Sequence, residues 1–366
     1  MQKSSHGQAV AIGVKAHVLY SELLTPAHYW ALLNLKSTTE IGDFLRQTDG
    51  YRETLQKIPS AKLHRVNLEK TIRASLLSEA ASFLPYLSGG QRKLFVDWLG
   101  WFEAEHIKTI FRWIRSRDFN RDTIRSRLED VPGSKLSYDL LLSCRDYQEA
   151  LEALKDTKYY ETIKEPVSRL VRGEDSLFSF EHALDNFIEK TIFDDIKELS
   201  KDDRETLIPL FGARIDLINL YHFHRCTWYY SMTPEETLSH MLPVKYKVTS
   251  HKLREMNKEA SWQERLDKLE EAFPQYGRIF KDALNETDKE LALEVAVKRS
   301  TYLKSLSVFR KGTPGFHTVM AYFLLKSQES EDIIRIIEDV RYDYDRRIAA
   351  GYLVRPIFAG GESSWQ

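Results

Sequence analysis

Sixteen glycines and eleven prolines in 366 residues fall well short of the roughly 12% that these two breakers make up in an average protein. A sandwich or barrel of short strands, which needs turn residues every few positions, does not fit that scarcity. Only two cysteines occur, Cys144 and Cys226. They cannot frame a disulfide scaffold, and a reducing compartment is the natural setting. Charge of one sign is also missing, with 53 basic against 54 acidic residues, so no strong field recruits nucleic acid or an anionic membrane surface. The longest apolar run free of charge, GTPGFHTVMAYFLL at 312–325, is too short to span a bilayer. The opening residues, MQKSSHGQAVAIGVKAH, lack the apolar core of a signal peptide, and a cytoplasmic location is expected.

A phosphate-cradling loop is absent as well. Residues 87–93 read LSGGQRK, the string with which ABC-type ATPases grip a nucleotide, yet no Gly-Lys pair occurs anywhere in the chain. Without a GxxxxGK[ST] loop to present a ligand, direct nucleotide binding is not expected. The Gly-Gly reads as a turn between helices, with Ser88 as a cap.

What is present is helical periodicity. In SFEHALDNFIEKTIFDDIKEL, Phe180, Ala183, Leu184, Phe187, Ile188, Ile192 and Ile196 recur at three- and four-residue intervals, the pattern of an amphipathic helix. No alternating strand is evident, and the fold class is all-α.

The chain also repeats itself. DWLGWFEAEHIKTIFRW from 97, LFGARIDLINLYHFHRC from 210 and FLLKSQESEDIIRIIED from 323 align so that Glu103, Asp216 and Glu329 stand 113 residues apart. His106, Asn219 and Asp332 keep that interval, as do Ile107, Leu220 and Ile333. Upstream, Leu45, Thr48 and Tyr51 match Leu154, Thr157 and Tyr160, with Leu269 and Tyr276 as a looser third set; Glu69, Glu181 and Glu294 each open an amphipathic helix. The LSGGQRK turn falls where ELSKDDRE and FRKGTPG lie in the other copies. Three helical domains are expected, 1–117, 118–230 and 231–343, followed by a tail, 344–366, whose GYLVRPIFAGGESSWQ has no helical period and is expected frayed or draped on the surface. Units of this size can bury cores of their own, and three of them imply a pseudo-threefold ring or arc.

Each long helix thus carries an acid and, three residues on, an imidazole, amide or second acid on the same face. In an apolar setting these groups need partners or a wet cavity. The plain reading is a structural network between neighbouring helices, with Arg214 or Arg225 pairing Asp216; the other is a polar lining that meets a partner. His222 and Cys226, four apart, have zinc-ligand spacing but no second pair. FDDIKE, with Asp194, Asp195 and Glu198, is spelled like the Mg²⁺-diphosphate motif of helical terpenoid synthases, whose second motif is missing. A solvated helix end, alternating with Lys190 and Lys197, is the plainer account.

Several segments carry a family resemblance: LLTPAHYWALLNLKSTTEIGDFL, FEAEHIKTIFRWI, EALKDTKYYETI, FSFEHALDNFIEKTIFDDI, ARIDLINLYHFHRC and MAYFLLKSQESEDIIRII. From about Lys15 to Leu353 the chain resembles the C subunit of V-type (A-type) rotary ATPases, homologous to the d subunit of the vacuolar enzyme. The family often has Asn where this chain carries His106 and Asp332. The resemblance implies a funnel of three helical bundles with no catalytic activity and no cofactor. It implies a rotor part that seats the central-stalk subunits and rests on the membrane proteolipid ring, peripheral to the cytoplasmic face, coupling ATP to proton or sodium transport. Glu103, His106, Asp216, Asn219, Arg225, Glu329 and Asp332 are then the candidate structural or stalk-binding positions. The alternative of another class is a free-standing Mg²⁺-dependent enzyme of terpenoid-synthase type; a helical adaptor outside rotary ATPases is a third.

Overall fold

Polar side chains start most of the helices. Thr25, Thr233 and Ser261 form reciprocal capping boxes with His28, Glu236 and Glu264. Ser37, Asn120, Ser137, Asp146, Ser200, Thr249, Asp288 and Asp345 each accept a hydrogen bond from a backbone N–H of the first turn. Such caps satisfy donors that the helix itself leaves unpaired. Pro26, Pro234 and Pro274 occupy the first helical position, where a missing N–H costs nothing.

The computed structural model describes residues 2–59, 63–259, 261–311 and 314–357, and these form nineteen α-helices with no strand among the described residues. In chain order the first are α1 (Gln2–Ser21), α2 (Pro26–Leu33), α3 (Thr38–Leu45), α4 (Asp49–Gln56), α5 (Arg65–Ala81) and the long α6 (Gly89–Ser116). Then come α7 (Arg121–Arg125), α8 (Tyr138–Leu141), α9 (Tyr147–Ala153), α10 (Tyr160–Val171), α11 (Leu177–Lys197) and the long α12 (Lys201–His224), which runs on into a π-helical turn, Arg225–Tyr229. The last are α13 (Pro234–Ser239), α14 (Ser250–Asn257), α15 (Trp262–Ala272), α16 (Pro274–Leu284), α17 (Lys289–Arg310), the long α18 (Phe316–Arg341) and α19 (Arg346–Gly351).

The chain divides into two compact units, one of Leu77–Leu199 and one of the residues up to Leu76 with those from Ser200 onward. In the first, α6 lies along α11 and α11 against α10. Phe111 stacks on Phe180 with centroids 4.2 Å apart, and Arg112 grips Glu181 through two 2.7 Å hydrogen bonds. In the second, α12 packs against α17, and α18 against both α17 and α1. That unit holds two apolar cores. One joins the C-terminal half of α12 to α14–α16 and the start of α17, from Leu217 to Val297. The other joins residues 24–72 to Ile333, Ile336, Ile337 and Val340 of α18 and to Ala349, Ala350, Leu353 and Ile357 beyond it.

A spacing close to the 113-residue interval, 114 and then 112 residues, is visible in the backbone. Arg117, Ser231 and Asp343 are the only non-glycine residues with positive φ among the described residues, at 52°, 48° and 52°. Each lies just beyond a long helix, where a left-handed residue halts the helical turn. A short helix with a polar cap follows each: α7 behind Asn120, α13 behind Thr233, α19 behind Asp345. This corrects the expectation for the tail. Residues 346–351 are helical, and Leu353, Val354 and Ile357 are buried; residues 358–366 lie outside the described residues. The apolar groups after Gly351 show no helical period because their backbone is non-helical and pinned to α18.

Gly277 marks the closest helix approach that a side chain would disturb. A Cβ there would lie 2.4 Å from the Cα and 2.7 Å from the backbone nitrogen of Glu270. Alanine normally favours a helix over glycine by about 1 kcal/mol, but the facing atoms are backbone and cannot step aside. Gly277→Ala should therefore destabilise the chain by about 1–3 kcal/mol, read as a lower midpoint in chemical denaturation.

Candidate functional site

Glu103, Asp216 and Glu329 are 6%, 0% and 3% exposed, so none is a solvated surface acid. Each sits in the middle of a long helix, and each accepts a hydrogen bond from a tyrosine hydroxyl. Tyr159 donates to Glu103, Tyr276 to Asp216 at 3.4 Å and Tyr51 to Glu329 at 3.0 Å. Cations stand close to two of them. Lys158 is 3.6 Å from Glu103, and Lys326 is 3.5 Å from Glu329 with its ammonium 4.1 Å over the Tyr51 ring. Asp216 is held instead by the backbone N–H groups of Tyr246 at 3.1 Å and Lys247 at 2.8 Å. Burial pushes its carboxyl above the usual range against the pull of those N–H groups. Burial, with the acid beside each ring, likewise raises the Tyr159 and Tyr276 hydroxyls.

The positions three residues on tie down the segment that follows each long helix. His106 meets the Tyr138 hydroxyl at 3.0 Å and Glu129 at 2.8 Å. Asn219 accepts from the Leu242 N–H at 2.7 Å and donates to the Val244 carbonyl at 3.2 Å. Asp332 accepts from the Val354 and Arg355 N–H groups, both at 2.9 Å. The partners Glu129, Leu242 and Val354 lie 22 or 23 residues downstream in every case. One job is thus done by three side-chain chemistries.

Other sequence-level candidates fall elsewhere. Arg225, expected beside Asp216, begins the π-helical turn and pairs with Glu290 at 3.2 Å; two backbone amides take the place it was expected to fill. Asp194 is partly exposed between Lys190 at 2.5 Å and Lys197 at 2.8 Å. Its neighbour Asp195 differs from the solvated acid expected: it is buried and bonded to Lys93 of α6, with its carboxyl raised to about 6 chiefly by burial. Cys226 is buried, and no cluster of three metal-ligating side chains occurs among the described residues. Ser88 stands at the cap of α6 without a side-chain cap bond, and Gly89 makes the turn with φ +53°.

The repeat alignment pairs Tyr51 with Tyr160, but Tyr159 is the counterpart that reaches an acid. Thr48 and Thr157 both bond back to the carbonyl three residues before, Leu45 and Leu154, at 2.7 Å. The register then slips: Tyr51 lies three residues past its threonine and Tyr159 only two. Glu129 and Tyr138 escape sequence reasoning altogether. The constant 22–23 residue offset is the signal that points to Glu129.

The ATP synthase (C/AC39) subunit family profile matches residues 12–351, almost the whole chain. The chain belongs to that family. It is the C subunit of V/A-type rotary ATPases, a structural part of the complex that is not itself catalytic, with other subunits of the complex as its partners. Relatives include the C subunit of the A-type ATP synthase of Methanosphaera stadtmanae, 21% identical over 306 residues, spanning 82% of this chain and 76% of that one. The Methanosarcina mazei protein of the same name is 24% identical over 241 residues, 66% of this chain and 64% of its own. That of Halobacterium salinarum is 28% identical over 158 residues, 43% of this chain and 44% of its own. No helix among the described residues of this protein is long and apolar enough to cross a membrane.

Asp332 offers a pH test of these anchors. Burial raises its carboxyl to about 7, although two backbone N–H groups favour the charged form. An unfolded aspartate titrates near 3.9, so between pH ~4 and ~7 the folded chain holds a proton that unfolding releases. Stability should then fall as pH rises through that window. In Asp332→Asn the slope of unfolding free energy against pH should be less negative by up to ~1.4 kcal/mol per unit. Equal slopes by denaturant titration at several pH values would show that Asp332 stays ionised.

Proposed function

We propose that this C subunit is a rotor socket, a funnel of three similar helical bundles that seats the central stalk and rests on the proteolipid ring at the cytoplasmic face of the membrane. The observation that carries the reading is the order of the acid–tyrosine bonds. Taking the three copies as 1–117, 118–230 and 231–343, the acid of the first meets a tyrosine of the second. That of the second meets the third, and that of the third meets the first. A chain of bonds stepping in one sense through three copies and returning to its start is what a pseudo-threefold ring needs. The left-handed stops at Arg117, Ser231 and Asp343 support the same division.

The job is mechanical. Torque passing between an ATP-driven head and an ion-carrying ring needs a stiff joint, and buried charge-assisted bonds between copies resist sliding more than apolar contact alone. Glu103, Asp216 and Glu329 with His106, Asn219 and Asp332 serve the seams on this reading, and Arg225 lies outside the set. The ion is chosen in the ring, so proton and sodium pumps would use the same socket.

Asp216→Ala leaves the buried Tyr276 hydroxyl and two backbone N–H groups without their acceptor, at about 1–3 kcal/mol for each group that finds no other. The isolated protein should melt at a lower temperature. Unchanged melting with weakened stalk binding would move the acids from the seam to the stalk face. For the rotor itself, a cross-link between this protein and the ring should leave ATP-driven ion pumping intact, because the two turn together. A cross-link to a stator component should stop it. Pumping abolished by the first link alone would overturn the assignment.

A further inference from the structure

Where α12 ends, the chain does something that the other long helices do not. Five residues, Arg225–Tyr229, continue it as a π-helical turn, a widened turn that is costly and common at functional sites. The Met232 N–H bonds back to the Cys226 carbonyl at 3.0 Å as the turn closes. Trp228, Tyr229 and Tyr230 are left 54%, 46% and 58% exposed. Beside them opens a pocket of about 330 Å³, within the range of small-molecule sites.

The walls are aromatic. His224 packs 4.4 Å from Trp262 and 5.7 Å, edge-on, from Tyr229, and Trp228 meets Trp262 at 6.3 Å. His224 is 2% exposed, and neither of its ring nitrogens has a hydrogen-bond partner; nor has the indole N–H of Trp262. Three buried polar atoms without partners, on two residues that line one cavity, are rare in a folded chain. Leu266, Leu284, the amides of Gln263 and Asn285 and two lysines line the rest, and no acidic residue does. Lys281 is committed to Asp267 at 2.8 Å and Glu270 at 2.5 Å, whereas Lys289, at the start of α17, is exposed and pairs with no acid among the described residues.

We propose that this pocket binds an anionic aromatic group, an aryl carboxylate. Flat walls suit a flat ring, because offset and edge-on stacking favours aromatic partners over aliphatic ones. Apart from the Gln263 and Asn285 amides, which both donate and accept, the polar atoms are mainly donors. The Trp262 indole can only donate, the Lys289 ammonium can only donate, and a neutral imidazole gives one donor and one acceptor. Burial holds His224 down at about 4, so the ring is neutral at pH 7 and keeps that single N–H to offer. A carboxylate supplies the acceptor oxygens that such a set lacks, and bonds to a charged acceptor are the stronger kind. The group is a free small molecule.

Calorimetric titration of the protein with 2-naphthoate at pH 7 tests the chemistry. Saturable one-to-one binding with a sub-millimolar Kd is expected, with cyclohexanecarboxylate and 2-naphthalenemethanol each weaker by about tenfold or more. His224→Phe and Trp262→Phe keep the aromatic walls and remove the polar atoms, so each should weaken binding by about tenfold. His224→Phe should melt no lower than the parent, since it replaces an unpartnered imidazole with an apolar ring. Lys289→Met, on the exposed rim, should weaken binding of the anion without altering that of the alcohol. No saturable heat, or equal affinity in the parent and all three variants, overturns the proposal. Repeating the titration on the assembled ATPase should retain the binding; binding lost there would mean that a neighbouring protein covers the pocket and would overturn a site for a free molecule.

Discussion

Carboxylates buried in the middle of long helices cannot be left alone, and the rest of this structure is arranged around that demand. A helix consumes its own backbone donors, so an acid such as Glu103, Asp216 or Glu329 must be met by groups from other segments. Here the meeting groups are a tyrosine hydroxyl each time, supported by Lys158, Lys326 or the backbone N–H groups of Tyr246 and Lys247. Those tyrosines lie 56, 60 and 278 residues from their acids along the chain. The chemistry of one side chain thereby fixes which stretch of chain lies against which helix.

The residue three positions on extends the same logic. His106, Asn219 and Asp332 have little in common chemically, yet each holds the stretch 22–23 residues further along. What recurs is the need for a polar hook at that place. The hook's partner varies with it: a glutamate for the imidazole, a backbone N–H for the amide and for the acid. Resemblance between the three long helices is therefore sharper in geometry than in spelling.

This explains how much is legible from residues alone. The all-α class and the interval of the acids stand on apolar periodicity and on residue identity, both of which a sequence displays. The tyrosine partners are half visible: Tyr51 and Tyr276 stand out as repeat positions, and Tyr159 is eclipsed by its neighbour because the turn after Thr157 is one residue shorter. Arg225 is the natural expectation beside Asp216 because an ion pair is the usual way to match a buried acid. Nothing in a sequence announces that two amides from a loop 30 residues away will do it. Asp195 looks solvated from the charge run around it, whereas its side of α11 turns toward α6. The tail misleads for a related reason: short apolar segments with no period look like surface chain until the hook that pins them is known.

The apolar core shared by residues 24–72 and 333–357 has a bearing on how the chain is made. A ribosome releases the first part of that core, which ends at Ile72, well before the last part, which begins at Ile333. The bundle of Leu77–Leu199 and the core from Leu217 to Val297 are complete in sequence before then. Domains generally fold as they emerge, so two parts of the protein are free to close while α2–α5 still wait for α18 and α19. Until Ile357 clears the exit tunnel, α2–α5 carry an uncovered apolar face, and the earlier-made half of this core waits for the later one.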